Sequence, residues 1–248
     1  MSALRVERDG PLFRVTLTRA ERRNAFDAAL IGELTGAFAD VGDARAVVLR
    51  GEGPSFSAGA DVDWMRSSAG LSYDENVADA LRLRAMLEAI DGCPAPVVAG
   101  VQGHALGGGC GLVACCDIVV AERGAQFGFS EVKLGIVPAV ISPFALRKIG
   151  SSAARRYFVT GERFSAETAL ALGLVHEVAD DLPAALERVV GELLTAGPRA
   201  ARAAKELARS AHTAQQTAQE IAAHRTSDEG QEGLRAFLEK RRATWAVD

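Results

Sequence analysis

Two short apolar segments in this chain are each followed by a loop made largely of small residues. The first segment, Ala46 to Leu49, leads into the loop 51–59, and the second, Val97 to Val101, leads into the loop 103–109. Both apolar runs have the length of a buried strand, and small residues allow a backbone to approach a ligand closely. A helix to about Cys115 follows the second loop. Strands that alternate with helices in this way predict an α/β fold, with both loops as candidate ligand-binding segments.

The N-terminal part is predicted to form a β-hairpin and a helix. Leu4–Asp9 and Leu12–Thr18 are alternating segments on either side of a turn at Asp9 and Gly10. Asp27 has the position of a helix N-cap. Apolar residues then follow at helical spacing: Leu30, Ile31, Leu34, Phe38 and Val41.

The rest of the chain is predicted to be mainly helical. A long helix is expected from Tyr73 to Asp91, with Val77, Leu81, Met86 and Ile90 facing inward. The later predicted elements are a strand at Asp117–Ala121, helices at Pro143–Ile149, Ala153–Thr160 and Ala166–Leu172, and a strand at Val175–Val178. From Leu182 onward we predict helices, broken at Gly197-Pro198 and around Asp228–Gly233. Large apolar residues are few in this last region, so we expect it to pack on the body or on another subunit.

Charge and composition exclude several classes of protein. The 248 residues include 28 Lys and Arg and 32 Asp and Glu, a net charge of −4 that offers no general attraction to nucleic acid. No apolar run of about eighteen residues occurs, so we expect no membrane-spanning helix, and the charged N-terminus does not resemble a secretory signal. The four cysteines lack zinc-ligand spacing, so we expect no metal site and a reduced, cytoplasmic environment.

The second loop has the features of an anion site. It opens a helix, whose free N–H groups and dipole favour negative charge. The sequence fits neither a P-loop nor the dinucleotide fingerprint, since Leu112 stands where the third glycine of that fingerprint belongs. It also lacks the Gly-x-Ser-x-Gly elbow of serine hydrolases. Taken alone, the loop is equally consistent with close packing of a helix on a strand.

The two loops and their flanks are more specific together, and here the chain resembles the enoyl-CoA hydratase/isomerase, or crotonase, family. The segments that carry the resemblance are, in order, Arg23–Phe26, FSAGADVDWM from Phe56, PVVAGVQGHALGGGCGL from Pro96, CDIVVA from Cys116, FGFSEVKLGIVPA from Phe127, GERFSAETALALGLVHEV from Gly161 and EGLRAFLEKRRATW from Glu232. These segments span nearly the whole chain.

The resemblance implies a fold and an assembly. It implies a spiral of β-β-α units in residues 1–197, which bind acyl-CoA, and a helical oligomerisation region in residues 198–248. It also implies a homotrimer or a dimer of trimers. The ligand would be an acyl-CoA thioester, so no separate cofactor is expected because coenzyme A is part of the substrate.

The resemblance also assigns roles to particular residues. The backbone N–H groups of Ala60 and Gly108 would form the oxyanion hole, and Glu131 would transfer protons. The substrate-binding residues it implies are Ala58, Ala60, Asp61, Val62, Asp63, Trp64, Gly108 and Gly111. A structural role is also open for Asp61 and Trp64. Asp61 could fix its loop by hydrogen bonds, and Trp64 could serve packing. The same loop-fixing role is expected for Asp117, which is not among the substrate-binding residues.

One position departs from the family pattern. Hydratases of this family usually carry two glutamates, the second of which corresponds to Glu131, whereas Gly111 occupies the position of the first. Three interpretations follow: a hydratase with a single carboxylate, a Δ3-Δ2 enoyl-CoA isomerase, or an inactive acyl-CoA-binding subunit. The sequence around Glu131, together with Asp63 to Met65, is similar to the methylglutaconyl-CoA hydratase branch, which favours the first interpretation.

Overall fold

The computed structural model describes residues 2–246, which form nine strands and ten α-helices within that range. The strands are β1 Leu4–Asp9, β2 Leu12–Leu17, β3 Ala46–Gly51, β4 Val97–Val101, β5 His104–Leu106, β6 Ile118–Glu122, β7 Gln126–Gly128, β8 Arg163–Ser165 and β9 Glu177–Ala179. The α-helices are α1 Ala28–Ala39, α2 Val62–Ser68, α3 Tyr73–Asp91, α4 Gly108–Cys115, α5 Ser142–Thr160, α6 Ala166–Ala171, α7 Leu182–Thr195, α8 Pro198–Arg209, α9 Ala214–Thr226 and α10 Asp228–Leu238. Two 3-10 helices cover Ala20–Arg22 and Glu131–Leu134.

The strands form two sheets, and the chain passes from one sheet to the other between consecutive strands such as β4 and β5. Six strands form the larger sheet in the order β1-β2-β3-β4-β6-β9, in which only the β1–β2 hairpin is antiparallel. Three strands form the smaller sheet in the order β5-β7-β8. The units β4-β5-α4 and β6-β7-α5 each place their first strand in the large sheet and their second in the small one. The predicted α/β fold built from β-β-α units is therefore confirmed.

The inner strands β3 and β4 of the large sheet are buried on both faces, which explains why they are nearly continuous apolar runs. On β3, Val47 and Leu49 face the main core with α1 and α3, whereas Ala46 and Val48 face the second cluster under α7. The second cluster is tight: a Cβ built on Gly100 of β4 would lie only 2.5 Å from Leu186 Cδ1 of α7. The two-sided packing fixes the C-terminal ends of β3 and β4, where both small-residue loops begin.

Side-chain caps begin α1 and α3, and the cap of α1 is the one that the sequence predicts. Asp27 accepts a hydrogen bond from the Leu30 N–H at the start of α1, and Ser72 and Glu75 form a reciprocal capping box at the start of α3. The predicted bounds of α3 are confirmed at Tyr73 and Asp91. The two helices predicted on either side of residues 150–152 form one element, α5, interrupted at Gly150 where φ is 69°.

Three expectations about local structure are wrong. Val77 and Leu81 face solvent, whereas Met86 and Ile90 are buried, because only the C-terminal half of α3 lies on the core. The last helical break lies at Ser227, which caps α10 through the Gly230 N–H, so residues 228–233 are helical. The strand predicted at Val175–Val178 forms instead at Glu177–Ala179, where it pairs with β6.

Charged side chains attach the region after Gly197 to the body. Lys205 of α8 is buried and forms an ion pair with Asp117 at 2.7 Å. Asp117 also accepts the Val97 N–H at 2.7 Å, so it ties α8 to the start of β4, as its predicted structural role requires. Arg209 pairs with Asp91 at 2.8 Å. The helix break predicted at Gly197-Pro198 is confirmed. The division of the chain into two regions at this point remains a prediction. Residues 1, 247 and 248 of those regions lie outside the described residues.

Within residues 2–246, no helix is both long enough and apolar enough to cross a membrane.

Candidate active site

The two small-residue loops pack against each other in the structure. The Leu106 N–H donates to the carbonyl of Ser57, and the Ser57 N–H donates to the carbonyl of His104, both at 3.0 Å. These bonds form a short parallel bridge between Ser57 and Ala105. Residue 57 thereby extends the edge of the small sheet. The bridge places Gly59 and Ala60 beside the first turn of α4.

Glycine is required at two positions of this contact. Gly59 has φ of 86°, a left-handed value that disfavours side chains, and a Cβ there would lie 2.6 Å from the Leu106 carbonyl oxygen. A Cβ on Gly108 would lie 2.2 Å from Cζ of Phe26. This distance places the buried Phe26 ring directly over the start of α4. Larger residues would separate the two loops or displace this ring.

Two backbone N–H groups at this contact are unpaired. Within residues 2–246, the N–H groups of Ala60 and Gly108 donate no hydrogen bond to any backbone or side-chain acceptor. Gly108 is the first residue of α4, where an N–H has no acceptor within the helix. Both residues line one cavity of about 780 Å³. Two free donors beside each other, one of them at a helix N-terminus, can stabilise a negatively charged oxygen.

The cavity runs from these donors to a mainly apolar surface formed by α2, α3 and the segment 134–141. Its lining residues that bear on the chemistry are Phe26, Ala60, Trp64, Leu83, Gly108, Glu131, Val137 and Ile141. Charged or amide side chains in the lining, apart from Glu131, come only from Arg66, Asn76 and Asp79. Arg66 forms an ion pair with Asp63, and Asp79 forms one with Arg82. The cavity thus combines a polar end at the loops with a large apolar volume.

Among the described residues that line the cavity, Glu131 is the one carboxylate at its polar end. It opens the 3-10 helix after β7, and a Cβ built on Gly107 would lie 3.3 Å from its Oε1. Its Oε2 is buried and has no hydrogen-bond partner among residues 2–246. Burial raises the pKa of Glu131, an effect that the residue's own backbone N–H partly offsets. A carboxylic acid with a raised pKa can both accept and donate a proton near neutral pH.

The position of the usual first glutamate is closed by an apolar side chain. Gly111 is buried in the second turn of α4, and a Cβ there would lie 2.5 Å from Cγ2 of Ile141. Leu87 of α3 lies next nearest, at 3.7 Å from the same point. Ile141 itself lines the cavity. Ile141 therefore occupies the space next to Gly111, so no carboxylate fits at position 111 without repacking.

The structure brings five of the nine predicted site residues to the cavity, namely Ala60, Val62, Trp64, Gly108 and Glu131. Gly111 is behind Ile141, as described above. Asp61 is buried and caps α2 through the N–H groups of Asp63 and Trp64, which agrees with its alternative structural role. Asp63 is exposed and pairs with Arg22 and Arg66. Ala58 is half-buried, and its N–H donates to the Arg23 carbonyl.

Sequence reasoning missed two residues that shape the site. Phe26 belongs to one of the segments that carry the family resemblance, but nothing in its local pattern shows that its ring covers α4. Ile141 lies thirty positions after Gly111, and the contact between them becomes visible only when α5 is placed against α4. An unusual glycine at a position where a carboxylate is expected was the available signal that some side chain fills the space.

Comparison with known proteins gives a consistent result. The sequence model described as enoyl-CoA hydratase/isomerase matches residues 7–247. A crystal structure of an enoyl-CoA hydratase from Shewanella pealeana is 40% identical and superposes with a TM-score of 0.93, covering 98% of this chain and 96% of the other. A crotonyl-CoA hydratase from Syntrophomonas wolfei is 32% identical and covers 97% of this chain and 96% of its own. A 2,3-dehydroadipyl-CoA hydratase from Escherichia coli is 34% identical and covers 97% of both chains.

Proposed function

The chain belongs to the enoyl-CoA hydratase/isomerase family, and we propose that it adds water to the double bond of a 2-enoyl-CoA thioester with Glu131 as its single proton-transferring carboxylate. One observation carries this proposal: the Glu131 carboxylate and two unpaired backbone donors line the same cavity. The names of the curated relatives, which are hydratases, support the direction of the reaction.

The two donors account for the stabilisation of charge. When water adds to the β-carbon of an enoyl thioester, negative charge develops on the thioester oxygen. The N–H groups of Ala60 and Gly108 would bind that oxygen without any rearrangement, because neither must first break another hydrogen bond. Removal of one such donor typically costs about 2.7–4 kcal/mol of transition-state stabilisation. Side chains are unnecessary for this role, which is consistent with alanine and glycine at the two positions.

Glu131 would transfer the protons. As the water oxygen bonds to the β-carbon, the Glu131 carboxylate takes one proton from that water, and the α-carbon then receives one proton from the resulting carboxylic acid. One water molecule is added in total and Glu131 is regenerated. Its buried, unpartnered Oε2 and its raised pKa support a group that can both accept and return a proton.

The apolar contact between Gly111 and Ile141 favours a second candidate, the Δ3-Δ2 enoyl-CoA isomerase. A 1,3-proton shift requires one carboxylate and no bound water. Ile141 places hydrocarbon where a second carboxylate would otherwise orient the water. The same arrangement is compatible with an inactive acyl-CoA-binding subunit, in which case neither reaction would proceed.

For the substrate, we propose a short or branched enoyl-CoA, with 3-methylglutaconyl-CoA as the first compound to test. The support is the similarity of residues 63–65, 130–135, 137–139 and 141–143 to the methylglutaconyl-CoA hydratase branch. A relative named for the carboxylated substrate 2,3-dehydroadipyl-CoA adds to it. The large apolar part of the cavity is compatible with a branched acyl group.

A panel of substrates separates these possibilities. Crotonyl-CoA, 3-methylglutaconyl-CoA and a 3-enoyl-CoA would each be incubated with the protein in deuterated water, with identification of products and of α-carbon deuterium. We expect 3-hydroxyacyl products from the first two, and a loss of about 10²–10⁴-fold in Glu131→Gln. Glu187→Gln, at an exposed position on α7, is the matched control and should retain full activity. If only the 3-enoyl-CoA is converted, the protein is an isomerase and the hydratase proposal is wrong. No turnover despite tight CoA binding would overturn both.

We also propose that the protein is a homotrimer or a dimer of trimers in the cytoplasm. Leu207, Ile221, Leu234 and Phe237 are exposed on the three C-terminal helices, which supports burial of these helices between subunits. The four cysteines are free and buried, which suits a reducing compartment. Truncation after Gly197 should abolish assembly and solubility, as measured by light scattering, and a folded, active and monomeric product would contradict the trimer.

A further inference from the structure

An arginine outside the cavity connects the two segments that carry the Ala60 donor and the Phe26 ring. Arg19 follows β2, and its side chain is only 18% exposed. Its Nη1 donates to the Ala25 carbonyl at 2.8 Å and pairs with Asp27 Oδ2 at 2.9 Å. Its Nη2 pairs with Asp61 Oδ2 at 3.0 Å. One guanidinium thus holds three acceptors, which lie on either side of Phe26 and directly after Ala60.

Each of the two aspartates divides its oxygens between Arg19 and a helix. Asp27 Oδ1 accepts the Leu30 N–H at the start of α1, and Asp61 Oδ1 accepts the Asp63 N–H at the start of α2. Arg19 therefore fixes the relative position of two helix N-termini. Burial opposes ionisation of Asp61, but hydrogen bonds from the Asp63 and Trp64 N–H groups, with the charges of Arg19 and Arg22, lower its pKa overall. The lowered pKa favours the ionised Asp61 carboxylate, which is the form that pairs with Arg19.

The direction of the Ala60 N–H depends on this arrangement. The Phe26 N–H donates to the Gly59 carbonyl at 2.8 Å, and the Asp61 N–H donates to the Phe26 carbonyl at 3.0 Å. Because a trans peptide group is planar, its C=O and N–H point in opposite directions. A Gly59 carbonyl held by Phe26 therefore turns the Ala60 N–H away from Phe26. Arg19 holds both flanks of Phe26 and the residue after Ala60, so it keeps these two hydrogen bonds in register.

We propose that Arg19 is a positioning residue that sets the direction of the Ala60 N–H toward the substrate carbonyl. The inference rests on the proposed function, since it takes that N–H as one of the two donors. Arg19 is not among the described residues that line the cavity. Its effect is therefore on the alignment of a donor, to which transition-state stabilisation is highly sensitive.

The first test separates alignment from substrate binding. In Arg19→Gln we expect kcat to fall at least about tenfold with little change in KM, because the cavity surface that binds the acyl-CoA is unchanged. Arg14→Gln is the matched control, since Arg14 also pairs with an aspartate, Asp9, but at an exposed site of the first hairpin. It should retain the parent kcat. Circular dichroism would establish that each variant is folded.

The second test reads the donor directly. The carbonyl stretching frequency of a bound, unreactive ¹³C-labelled acyl-CoA thioester falls when hydrogen-bond donors polarise the carbonyl. We expect a lowered frequency in the parent and in Arg14→Gln, and a value closer to that in water for Arg19→Gln. If the parent itself shows no lowered frequency, the proposed oxyanion hole is wrong. If the parent shows it and Arg19→Gln shows the same, with unchanged kcat, only the positioning role is wrong.

Two further variants keep the test decisive if Arg19→Gln does not fold. Arg19→Lys retains the charge but not the planar group that can hold three acceptors, so compared with Arg19→Gln it should show a smaller loss of kcat and a correspondingly smaller change in carbonyl frequency. Asp27→Ser keeps a hydroxyl that can cap α1 and removes one partner of Arg19. The Asp27→Ser variant should also have a lower kcat and an unchanged KM. Parent values of kcat in both folded variants would overturn the inference.

Discussion

The two sides of the cavity are built from different parts of the chain. The backbone side, residues 56–61 and 107–111, presents peptide N–H groups, and its glycines are fixed by contacts such as that between Gly108 and Phe26. The side-chain side, α2, α3 and residues 134–141, presents apolar side chains that are largely open to solvent, with Val137 68% exposed. Larger residues would therefore overlap their neighbours on the backbone side, whereas the exposed positions of the side-chain side can be substituted without such overlap.

Under the proposed function, the difference separates two tasks of the site. Stabilisation of a charged oxygen depends on donor positions within a fraction of an ångström, so it suits a closely packed backbone. Selection of an acyl group depends on shape, so it suits exposed side chains that can be substituted without loss of the fold. Glu131 lies between the two sides, at the end of the small sheet. Changes to the backbone side should therefore alter the rate, and changes to the side-chain side should alter the choice of substrate.

The largest effect should come from the backbone side. In Gly108→Pro the donor N–H is absent, and we expect turnover to fall by at least about 10²–10³-fold, as for other oxyanion donors. Proline is tolerated in the first turn of a helix, so α4 should still form, although contact with Phe26 requires that folding be checked by circular dichroism. Gly32→Ala, on the open surface of α1, is the control and should be as active as the parent. Parent rates in a folded Gly108→Pro would place the oxyanion hole elsewhere.

A pH profile tests the group that lies between the two sides. The base in the proposed reaction is the ionised form of Glu131, and burial raises the pKa of this group above its usual value. As the pH falls through that raised pKa the carboxylate gains a proton, so kcat/KM should decrease about tenfold for each further unit of pH. The midpoint should lie above about 4.3, the ordinary pKa of glutamate. In Glu131→Gln the residual rate should lose this dependence. A midpoint at or below the ordinary value would contradict a buried catalytic carboxylate.

The third effect concerns Gly111, which belongs to the backbone side but contacts a side chain of the other. Gly111→Glu alone should destabilise the protein by about 1–3 kcal/mol, because its Cβ would overlap Ile141. Ile141→Ala alone should leave a cavity. The double variant Gly111→Glu/Ile141→Ala should recover much of the melting temperature and hydrate crotonyl-CoA faster than Gly111→Glu does. If water activation limits the parent, the double variant should exceed the parent as well. Equal stability of Gly111→Glu and the parent would show that Ile141 moves aside freely.

The family resemblance predicts cavity residues on both sides, Ala60 and Gly108 on the backbone side and Val62 and Trp64 on the side-chain side. Glu131 is predicted by the same resemblance and also lines the cavity, while its catalytic role and the donor roles of Ala60 and Gly108 stay predictions. Phe26 and Ile141 are not found, since each acts through a contact with α4 that is remote in sequence. The inward orientation predicted for Val77 and Leu81 fails for a related reason. Helical periodicity gives the face of α3 but not the point at which that face leaves the core.

The smallest effect should come from the side-chain side, and it tests whether the two tasks are separate. Val137 lines the cavity and is mostly exposed, so Val137→Ala removes little buried surface and should change stability by at most about 0.5 kcal/mol. We expect the ratio of kcat/KM for long or branched enoyl-CoA esters to that for crotonyl-CoA to change by less than about tenfold, since one or two methyl groups in an apolar site are worth about 1–3 kcal/mol when fully buried. Val159→Ala on α5 is the control, because Val159 is 76% exposed and is not among the cavity residues. The exchange of the α-proton with deuterated water, measured on crotonyl-CoA, should be the same in both variants and the parent. A large loss of exchange in Val137→Ala would mean that the exposed side also aligns the thioester with Glu131 and the two donors, and the division between a catalytic backbone and a selective surface would not hold.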